Sequence, residues 1–535
     1  MKLLQPLPRV VTRAGSVLIL IAWAAAMAAL VNRSYIQASS ASLATDLARY
    51  GSAAQWRGVY YRGEKIGFTV SQTVPRDDGF ELQEDGRLQM SLLGAVTPVT
   101  LRTTARVGAD FALRSFEFTL DPGTGPMIVR GEVKDRRLGL TVTTGAGTQT
   151  LDRELTDRPA LSQNLARLLA SGGLVAGARH QETLFDPATL RNAPVVIDVG
   201  NRELVRVMNR PVPAFRVEMT FGGLRTTSWV TDTGDVVREE SPMGLITVRE
   251  SPESAQAMAV SGRIRRDLFD AAAVVPENNR RIDEPRDVRL LQLRVDGADL
   301  SGPDVQGAGQ SVAGNVVEIQ DAQGLKPERA DPDAARYLAP EPLIESDAPE
   351  ILAEADNAVR GVPVLRDRAE RLTRYVNSIL EKKPTVSLPS AREVLRTRVG
   401  DCNEHTALYV AMARAIGIPA RIAVGLVYVR GAFYYHAWPE VYLAESDGRG
   451  MWLPVDPTLN QFPADSTHVR LVRGGLDKQA MILPLIGRMK MRILRLELAP
   501  NATPILVGRE PTDLGPLAIP IPRRESCCAC PPPRR

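Results

Sequence analysis

The most constraining feature of this sequence is an alternation of apolar and polar residues that runs from Trp56 to about Glu250. Segments such as 56–74, 80–90 and 111–120 alternate in this way, and turn signals such as Arg62-Gly63 separate them. Because successive side chains of a strand point to opposite faces of a sheet, this period of two predicts a long antiparallel all-β region. One helical pattern, at residues 161–173, interrupts it.

The length and composition predict a multidomain globular protein. A chain of 535 residues is too long for one ordinary core, and 44% hydrophobic with 24% charged residues is a globular composition. A net charge of +4 with dispersed basic residues gives no reason to expect a nucleic-acid partner. We assign residues 55–283 to the β-rich domain, 284–340 to a small β segment and linker, 341–500 to an α+β core, and 501–535 to a Pro/Cys-rich tail expected to be disordered.

The N-terminal residues predict a membrane anchor. Lys2, Arg9 and Arg13 precede an uncharged apolar run of 18 residues at 14–31, which is just long enough to span a bilayer as a transmembrane helix. Positive charge before the run favours a cytoplasmic N-terminus and an exported body. We therefore expect residues 1–33 to hold the chain in the inner (plasma) membrane by a single pass, with a tether at 34–54 and the body in the periplasm. A cleaved signal peptide is the alternative, because Ala26-Met27-Ala28 resembles a cleavage site.

The cysteines are few and unevenly placed. Three of the four, Cys527, Cys528 and Cys530, stand in the tail, so Cys402 has no partner in the folded body and a disulfide framework is not expected. The tail cysteines could bind a metal or carry palmitate, but we expect a disordered end. No metal or cofactor is expected, and no loop has the spacing of a calcium site.

Cys402 lies where a helix is predicted to begin. Asp401 is a good N-cap, and Glu404 follows it at the spacing of a capping box. The apolar residues that follow predict a buried helix, which Gly417 and Pro419 end. Free N–H groups and the helix dipole at this position favour a thiolate, which is the nucleophilic form of cysteine.

A base and an orienting acid follow Cys402 along the chain. Residues 420–429 and 432–443 predict two strands joined by a tight turn, with His436 on the second. The next short strand ends at Asp456. This order supplies what a Cys-His-Asp relay needs: a nucleophile, a base, and a group that orients the base. We interpret the other two nearby histidines, His405 and His468, as structural.

These motifs resemble a known family. The stretches GDCNEH, GIPAR, YYHAWPEVYL and WLPVDPT resemble the transglutaminase-like superfamily, whose fold is similar to papain, and this match covers about residues 350–473. The N-terminal anchor and the β region resemble those of exported, membrane-anchored bacterial members, but that resemblance is diffuse and includes no site residue. The resemblance implies catalytic roles for Cys402 as nucleophile, His436 as general base and acid, and Asp456 as orienting carboxylate. It implies structural support from four further residues of the motif: Asp401, Trp438, Glu440 and Trp452.

Two departures from the family pattern stand out. Pro439 lies in the middle of a predicted strand, where it costs a ladder hydrogen bond unless the strand is at an edge there. No Trp or Gln just before Cys402 offers a second donor for an oxyanion, so that role stays open.

The sequence therefore predicts a cysteine acyl-transfer enzyme that acts on a protein or peptide substrate, with the cell envelope as one candidate source of that substrate. Hydrolysis of a peptide or amide bond through a Cys402 thioester is favoured over transamidation. The alternative is a non-catalytic envelope scaffold that retains the fold.

Overall fold

The computed structural model describes residues 54–499, except for 93–94, 124, 156–158, 189, 222–223, 242–243, 258–272, 279, 384–389 and 475–488. The predicted transmembrane helix and the Pro/Cys-rich tail both lie outside the described residues. Among the helices that are described, none combines the length and the apolar character that crossing a bilayer requires.

A large antiparallel sheet forms the N-terminal region, as the alternation of apolar and polar residues predicts. In the described residues it contains fourteen strands in the order β8-β7-β6-β5-β4-β3-β2-β1-β14-β13-β12-β11-β10-β9. The strands are β1 (Gln55–Tyr61), β2 (Glu64–Arg76), β3 (Gly79–Leu92), β4 (Ala95–Val107), β5 (Leu113–Asp121), β6 (Met127–Lys134), β7 (Arg137–Thr144), β8 (Gly147–Glu154), β9 (Arg179–Asp186), β10 (Arg191–Val207), β11 (Arg210–Phe221), β12 (Leu224–Val230), β13 (Val236–Glu240) and β14 (Leu245–Glu250).

Within the part of the chain that the structure describes, two helices accompany this sheet. Helix α1 (Ser162–Ser171) lies between the two edge strands in the chain, close to where the sequence predicts it. Its residues Leu165 and Leu169 belong to one apolar cluster with Ile197 and Val217 of the sheet. Helix α2 (Pro252–Gln256) follows β14.

The first strand pairs with the last strand of this region, β1 with β14, so the sheet joins two meanders. The β1–β2 connection illustrates the turn chemistry. Arg62 and Gly63 both have positive φ (46° and 86°), as a two-residue hairpin turn requires.

A second sheet links the middle of the chain to its end. It contains β15 (Val288–Asp296), β16 (Gln310–Ala313), β17 (Val316–Gln320) and β25 (Lys490–Leu498) in the order β16-β17-β15-β25. Strand β25 lies in the range assigned to the core and β15 in the range assigned to the small β segment. Their pairing, and a hydrophobic cluster shared with the core helices, bring the two ranges together.

In the C-terminal core, the described residues form four helices that pack together with a third sheet. The helices are α3 (Pro349–Ala358), α4 (Leu365–Ile379), α5 (Ala391–Thr397) and α6 (Cys402–Ala415). The sheet has the order β18-β23-β22-β21-β24 and contains β18 (Glu328–Arg329), β21 (Ala420–Val429), β22 (Ala432–Ala444), β23 (Arg449–Pro454) and β24 (His468–Arg473). A short parallel pair, β19 (Glu381–Lys382) and β20 (Val399–Gly400), leads into α6.

Helix α6 is the centre of this core. Its residues from Glu404 to Arg414 are buried, and they share one apolar cluster with α3, α4 and strands β21 to β24. The linker before the core also contacts the β region: Leu343 packs into an apolar cluster of the first sheet, while its carbonyl accepts a hydrogen bond from the Ala391 amide of α5.

Candidate active site

The start of α6 has the capping box that the sequence predicts. The Asp401 carboxylate accepts a hydrogen bond from the Asn403 amide (2.9 Å), and the Glu404 carboxylate accepts one from the Asp401 amide (2.8 Å). Gly400 is required here, because a Cβ at this position would lie 2.2 Å from the Cβ of Glu404. Cys402 is therefore fixed as the first residue of a buried helix.

Strand β22 meets this helix start at Ala437. The pairing of β22 with β23 extends only to Glu440 and Pro454, so the edge of β22 at Ala437 is not covered by β23. The hydroxyl of Thr406 donates to the Ala437 carbonyl (3.0 Å). A backbone hydrogen bond from Ala437 to the thiol of Cys402 lowers the pKa of that thiol, which means that the sulfur is the acceptor.

The same edge explains how Pro439 is tolerated. Its carbonyl accepts a hydrogen bond from the Val455 amide (2.9 Å), on the side where β23 ends. In an antiparallel strand the N–H and C=O of one residue point to the same side. The N–H that Pro439 lacks would therefore have pointed beyond the end of the β22–β23 ladder, so no bond to β21 is lost.

His436 and Asp456 form a hydrogen-bonded pair. Nε2 of His436 lies 2.8 Å from Oδ2 of Asp456, and the carboxylate is fully buried. The other carboxylate oxygen accepts the Leu459 amide (2.9 Å), while the Asp456 backbone pairs with that of Gln461. Burial works to raise the pKa of Asp456, but the His436 and His468 imidazoles outweigh it and hold that pKa below its usual range.

The thiol of Cys402 is close to this pair but is not bonded to it. Among the described residues, the imidazole of His436 is hydrogen-bonded to Asp456 and has no bond to Cys402. Cys402 is only 6% exposed. Burial raises the pKa of the thiol well above its usual range, Asp401 raises it further, and the bond from Ala437 opposes them only in part. The expectation of an acidic thiol is therefore not met in this conformation, because burial exceeds the effect of the helix start.

His468 is a fourth member of the cluster, and the sequence interpretation gave it no place there. Its Nε2 lies 3.1 Å from Oδ2 of Asp456, the same oxygen that bonds His436. Its Nδ1 lies 3.0 Å from the Asp465 carbonyl and 3.3 Å from the Asp465 carboxylate. Burial lowers the pKa of His468, but the two aspartates outweigh burial and raise it to about 10. In the sequence, the signal that could have placed His468 in this cluster is Asp465, three residues before it.

The other motif residues have structural contacts. Trp438 is 1% exposed, and its ring lies edge-on to that of His468 at 5.1 Å. Trp452 donates its indole N–H to Asp331 (2.8 Å). His405 is buried with Nδ1 2.7 Å from the Asp401 carbonyl, and its Nε2 has no hydrogen-bond partner. These contacts agree with supporting roles.

Glu440 is fully buried among three arginines. It bonds Arg470 at 2.5 Å, Arg421 at 2.7 Å and Arg473 at 2.9 Å. Burial works to raise the pKa of Glu440, but the arginines outweigh it and hold the pKa below its usual range. This cluster joins β21, β22 and β24 beneath the His436 pair.

One group of side chains in the described residues has the composition of a metal site: His436, Asp456 and His468, whose candidate ligand atoms lie within 4.8 Å of one another. Both imidazoles already lie at hydrogen-bond distance from a single carboxylate oxygen, at 2.8 and 3.1 Å. Hydrogen bonds from the two imidazole N–H groups to this carboxylate oxygen account for both distances, so we interpret the group as a hydrogen-bonded ion cluster.

Comparison with known proteins identifies the domain that carries these residues. Residues 353–457 match the model of the transglutaminase-like superfamily. Uncharacterized proteins of Mycobacterium bovis and Mycobacterium tuberculosis are 31% identical over 122 residues, which is 21% of this chain and 38% of theirs. The chain thus spans well under half the length of these curated relatives. It carries a transglutaminase-like domain in its C-terminal part, after a large antiparallel β region.

Solved structures give looser similarities. A candidate cysteine protease from Cytophaga hutchinsonii is 16% identical, with 41% of this chain and 92% of that one covered and a TM-score of 0.26. The periplasmic domain of TgpA from Pseudomonas aeruginosa is 19% identical (36% and 95% covered, TM-score 0.24). A β-barrel-like protein from Brucella abortus is 14% identical (37% and 96% covered, TM-score 0.29). Scores this low carry no argument about function.

Proposed function

We propose that this protein is a transglutaminase-like cysteine acyl-transfer enzyme that hydrolyses a peptide or amide bond through a thioester on Cys402. The observation that carries the proposal is the His436–Asp456 bond of 2.8 Å beside the helix start that holds Cys402. With Nε2 bonded to the carboxylate, Nδ1 is the imidazole nitrogen that remains for proton transfer.

In the proposed first half-reaction, His436 takes the proton of the Cys402 thiol as the sulfur attacks the carbonyl carbon of the substrate. A carbon–sulfur bond forms, the carbon–nitrogen bond breaks, and His436 gives its proton to the leaving amine. In the second half-reaction His436 takes a proton from water as the water oxygen attacks the thioester carbon. A carbon–oxygen bond forms, the carbon–sulfur bond breaks, the carboxylic acid leaves, and His436 returns the proton to the sulfur. Asp456 orients the imidazole and stabilises its protonated form.

The raised pKa of Cys402 constrains this mechanism. A buried thiol with a raised pKa is protonated at rest, so the proton has to move to His436 during the attack rather than beforehand. A sulfur that is 6% exposed also has to become accessible before a carbonyl can reach it. We propose that substrate binding exposes it, with the oxyanion received by backbone N–H groups at the start of α6.

The second candidate function is a non-catalytic scaffold or binding module that retains the fold. The burial and raised pKa of Cys402 favour it, because an inert structural thiol has these properties. Under this alternative the large β region is the working part of the protein, and the residues around Cys402 serve packing alone.

Alkylation kinetics separate the two candidates. The full chain is treated with iodoacetamide near pH 7, and modification of the Cys402 peptide is followed by mass spectrometry, which resolves it from the tail cysteines. In the resting chain Cys402 should react more slowly than free cysteine, because it is buried and the pKa of its thiol is raised. His436→Ala should slow the reaction at least tenfold further, while His180→Ala, in strand β9 of the first sheet, should leave it unchanged. A rate that His436→Ala does not lower would leave the scaffold as the better account.

We also propose that the body of the protein works outside the cytoplasm, held by the apolar run at 14–31. A reporter enzyme that is active only in the periplasm, fused after residue 54, should be active. Fusion to a chain without residues 1–33 should be inactive. Mass spectrometry of the membrane-extracted protein distinguishes an anchor from a cleaved signal peptide, because only the anchor retains residues 14–31.

A further inference from the structure

The hydrogen bonds around His468 define its protonation. Its Nδ1 faces a backbone carbonyl and a carboxylate of Asp465, at 3.0 and 3.3 Å, and its Nε2 faces the carboxylate of Asp456 at 3.1 Å. All of these are acceptors, so both nitrogens of His468 have to donate. An imidazole that donates from both nitrogens carries a positive charge.

The alternative location for that proton, on Asp456, is disfavoured by its other partners. Oδ2 of Asp456 is bonded by His436 and Oδ1 by the Leu459 amide, at 2.8 and 2.9 Å. A carboxylate whose two oxygens both already accept a hydrogen bond is favoured in its ionised form. Asp465 is likewise bonded by the amide of Thr467 (2.9 Å) and the side chain of Gln461 (2.7 Å). The cluster therefore contains two carboxylates with one imidazolium between them.

We propose that His468 is a positioning residue. As a buried imidazolium held between Asp456 and Asp465, it fixes the position of the Asp456 carboxylate beside His436. Its positive charge also offsets part of the attraction between that carboxylate and a proton on His436. This inference rests on the proposed function. It extends the relay of Cys402, His436 and Asp456 by two side chains, His468 and Asp465.

The effect of the charge on His468 should be large because the cluster is shielded from solvent. His468 and Asp456 are 5% and 0% exposed, and the ring centroids of His436 and His468 are 5.7 Å apart. At that distance in a partly polar interior, a unit positive charge on one ring lowers the proton affinity of the other by roughly 1–2 pH units. Without the charge on His468, the Asp456 carboxylate would attract the proton that His436 takes up during the reaction more strongly.

Other ionisable groups face this cluster and belong in the account. The groups around Asp456 and Cys402 are Asp401, Glu404 and His405 on α6 and Lys382 on β19. None of them is hydrogen-bonded to His468 among the described contacts. Their contributions are the same in the two proteins of the comparison below, so a difference between those proteins reports the charge at position 468.

The test is the pH dependence of Cys402 alkylation by iodoacetamide in the full chain, for wild type and His468→Gln. Glutamine keeps a donor towards Asp456 but removes the charge. Because loss of a nearby positive charge makes both the thiol and the imidazole hold their protons more tightly, the acid limb of the profile should move up by about one pH unit. On that limb the rate at fixed pH should fall about tenfold. His468→Lys, which restores a charge, should move the limb back towards wild type, and His180→Gln should not move it.

If the role of His468 were purely structural, His468→Gln would lower the stability of the protein and leave the acid limb of the profile in place. An alkylation rate that falls in His436→Ala, with an acid limb that does not move in His468→Gln, would therefore overturn this inference and leave the proposed function intact. A rate that neither variant changes would overturn both.

A second measurement needs no variant of residue 468. The chain has four histidines, so selective ¹⁵N labelling gives a tractable spectrum. One histidine should have both nitrogens protonated at pH 8, and that signal should be assignable to His468 by its contact with Trp438. If no imidazolium persists at pH 8, the charge on His468, and with it this inference, is wrong.

Discussion

The hydroxyl of Thr406 donates a hydrogen bond to the carbonyl of Ala437, at 3.0 Å, and so joins helix α6 to the edge of strand β22. Both partners are buried. Together with the hydrogen bond from the Ala437 backbone to the Cys402 thiol, this contact holds Cys402 near His436. Cys402 lies one turn before Thr406, and His436 directly precedes Ala437.

Thr406→Val should weaken this junction without changing its volume. The Ala437 carbonyl would be left buried without its hydroxyl partner, at a cost of about 1–3 kcal/mol. We expect faster amide hydrogen exchange in α6 and slower alkylation of Cys402, both measured by mass spectrometry.

Thr373→Val is the matched control for that variant. The Thr373 hydroxyl bonds the Ala369 carbonyl within helix α4, and that carbonyl also accepts the Tyr409 hydroxyl (both 3.0 Å). Alkylation of Cys402 should therefore be unchanged. Equal slowing in both variants would show that stability, and not the α6–β22 contact, controls reactivity.

Glu440→Gln should destabilise the third sheet strongly. The substitution leaves Arg421, Arg470 and Arg473 without their shared buried carboxylate, which costs on the order of 3–5 kcal/mol. Hydrogen exchange of β21, β22 and β24 is the measurement. Glu132→Gln, which breaks an exposed pair with Lys134, should leave exchange unchanged. Similar protection in both variants would mean that the arginine cluster contributes no more than a surface pair.

Gly425→Ala should disrupt the pairing of β21 with β24. A Cβ at Gly425 would lie 1.9 Å from the backbone carbonyl oxygen of Val469, so the two strands have to separate. We expect a loss of about 3 kcal/mol or more, or no soluble protein. At Gly139, in β7, the nearest atom to an added Cβ is 3.6 Å away, and Gly139→Ala should fold normally. Comparison of soluble yield and thermal unfolding checks both, and a well-folded Gly425→Ala would contradict the close approach.

The stability that His468 contributes should depend on pH in a defined direction. Its pKa is raised in the folded protein to about 10, against 6.5 for an ordinary histidine, since the attraction of Asp456 and Asp465 exceeds the cost of burial. A raised pKa contributes stability that is fully present below about pH 6.5 and is lost as the pH rises through about 10.

Hydrogen exchange of β24 and α6 in wild type and His468→Gln at pH 6, 8 and 10 measures this contribution. The difference in protection between the two proteins should be largest at pH 6 and should narrow towards pH 10. A difference that stays constant over this range would show that His468 contributes through packing and not through charge.

The sequence by itself determined the elements whose signals are local. The period-two alternation predicts the antiparallel sheet, because a half-buried strand needs only its own residues to show it. Likewise Asp401 and Glu404 predict the start of α6, since a capping box is closed within one turn. The order of Cys402, His436 and Asp456 and the motifs around them indicate the transglutaminase-like domain, whose model matches residues 353–457.

Only the tertiary structure decided what depends on contacts between distant residues. It places His468 on the same oxygen of Asp456 as His436, which no spacing along the chain reveals. It shows that an N–H at position 439 would point past the end of the β22–β23 pairing, so Pro439 costs no hydrogen bond to β21. It also decides the state of Cys402: the helix start favours a thiolate, but burial favours the neutral thiol more strongly. Burial is set by the packing of the whole core around a residue, so a local sequence pattern cannot supply it.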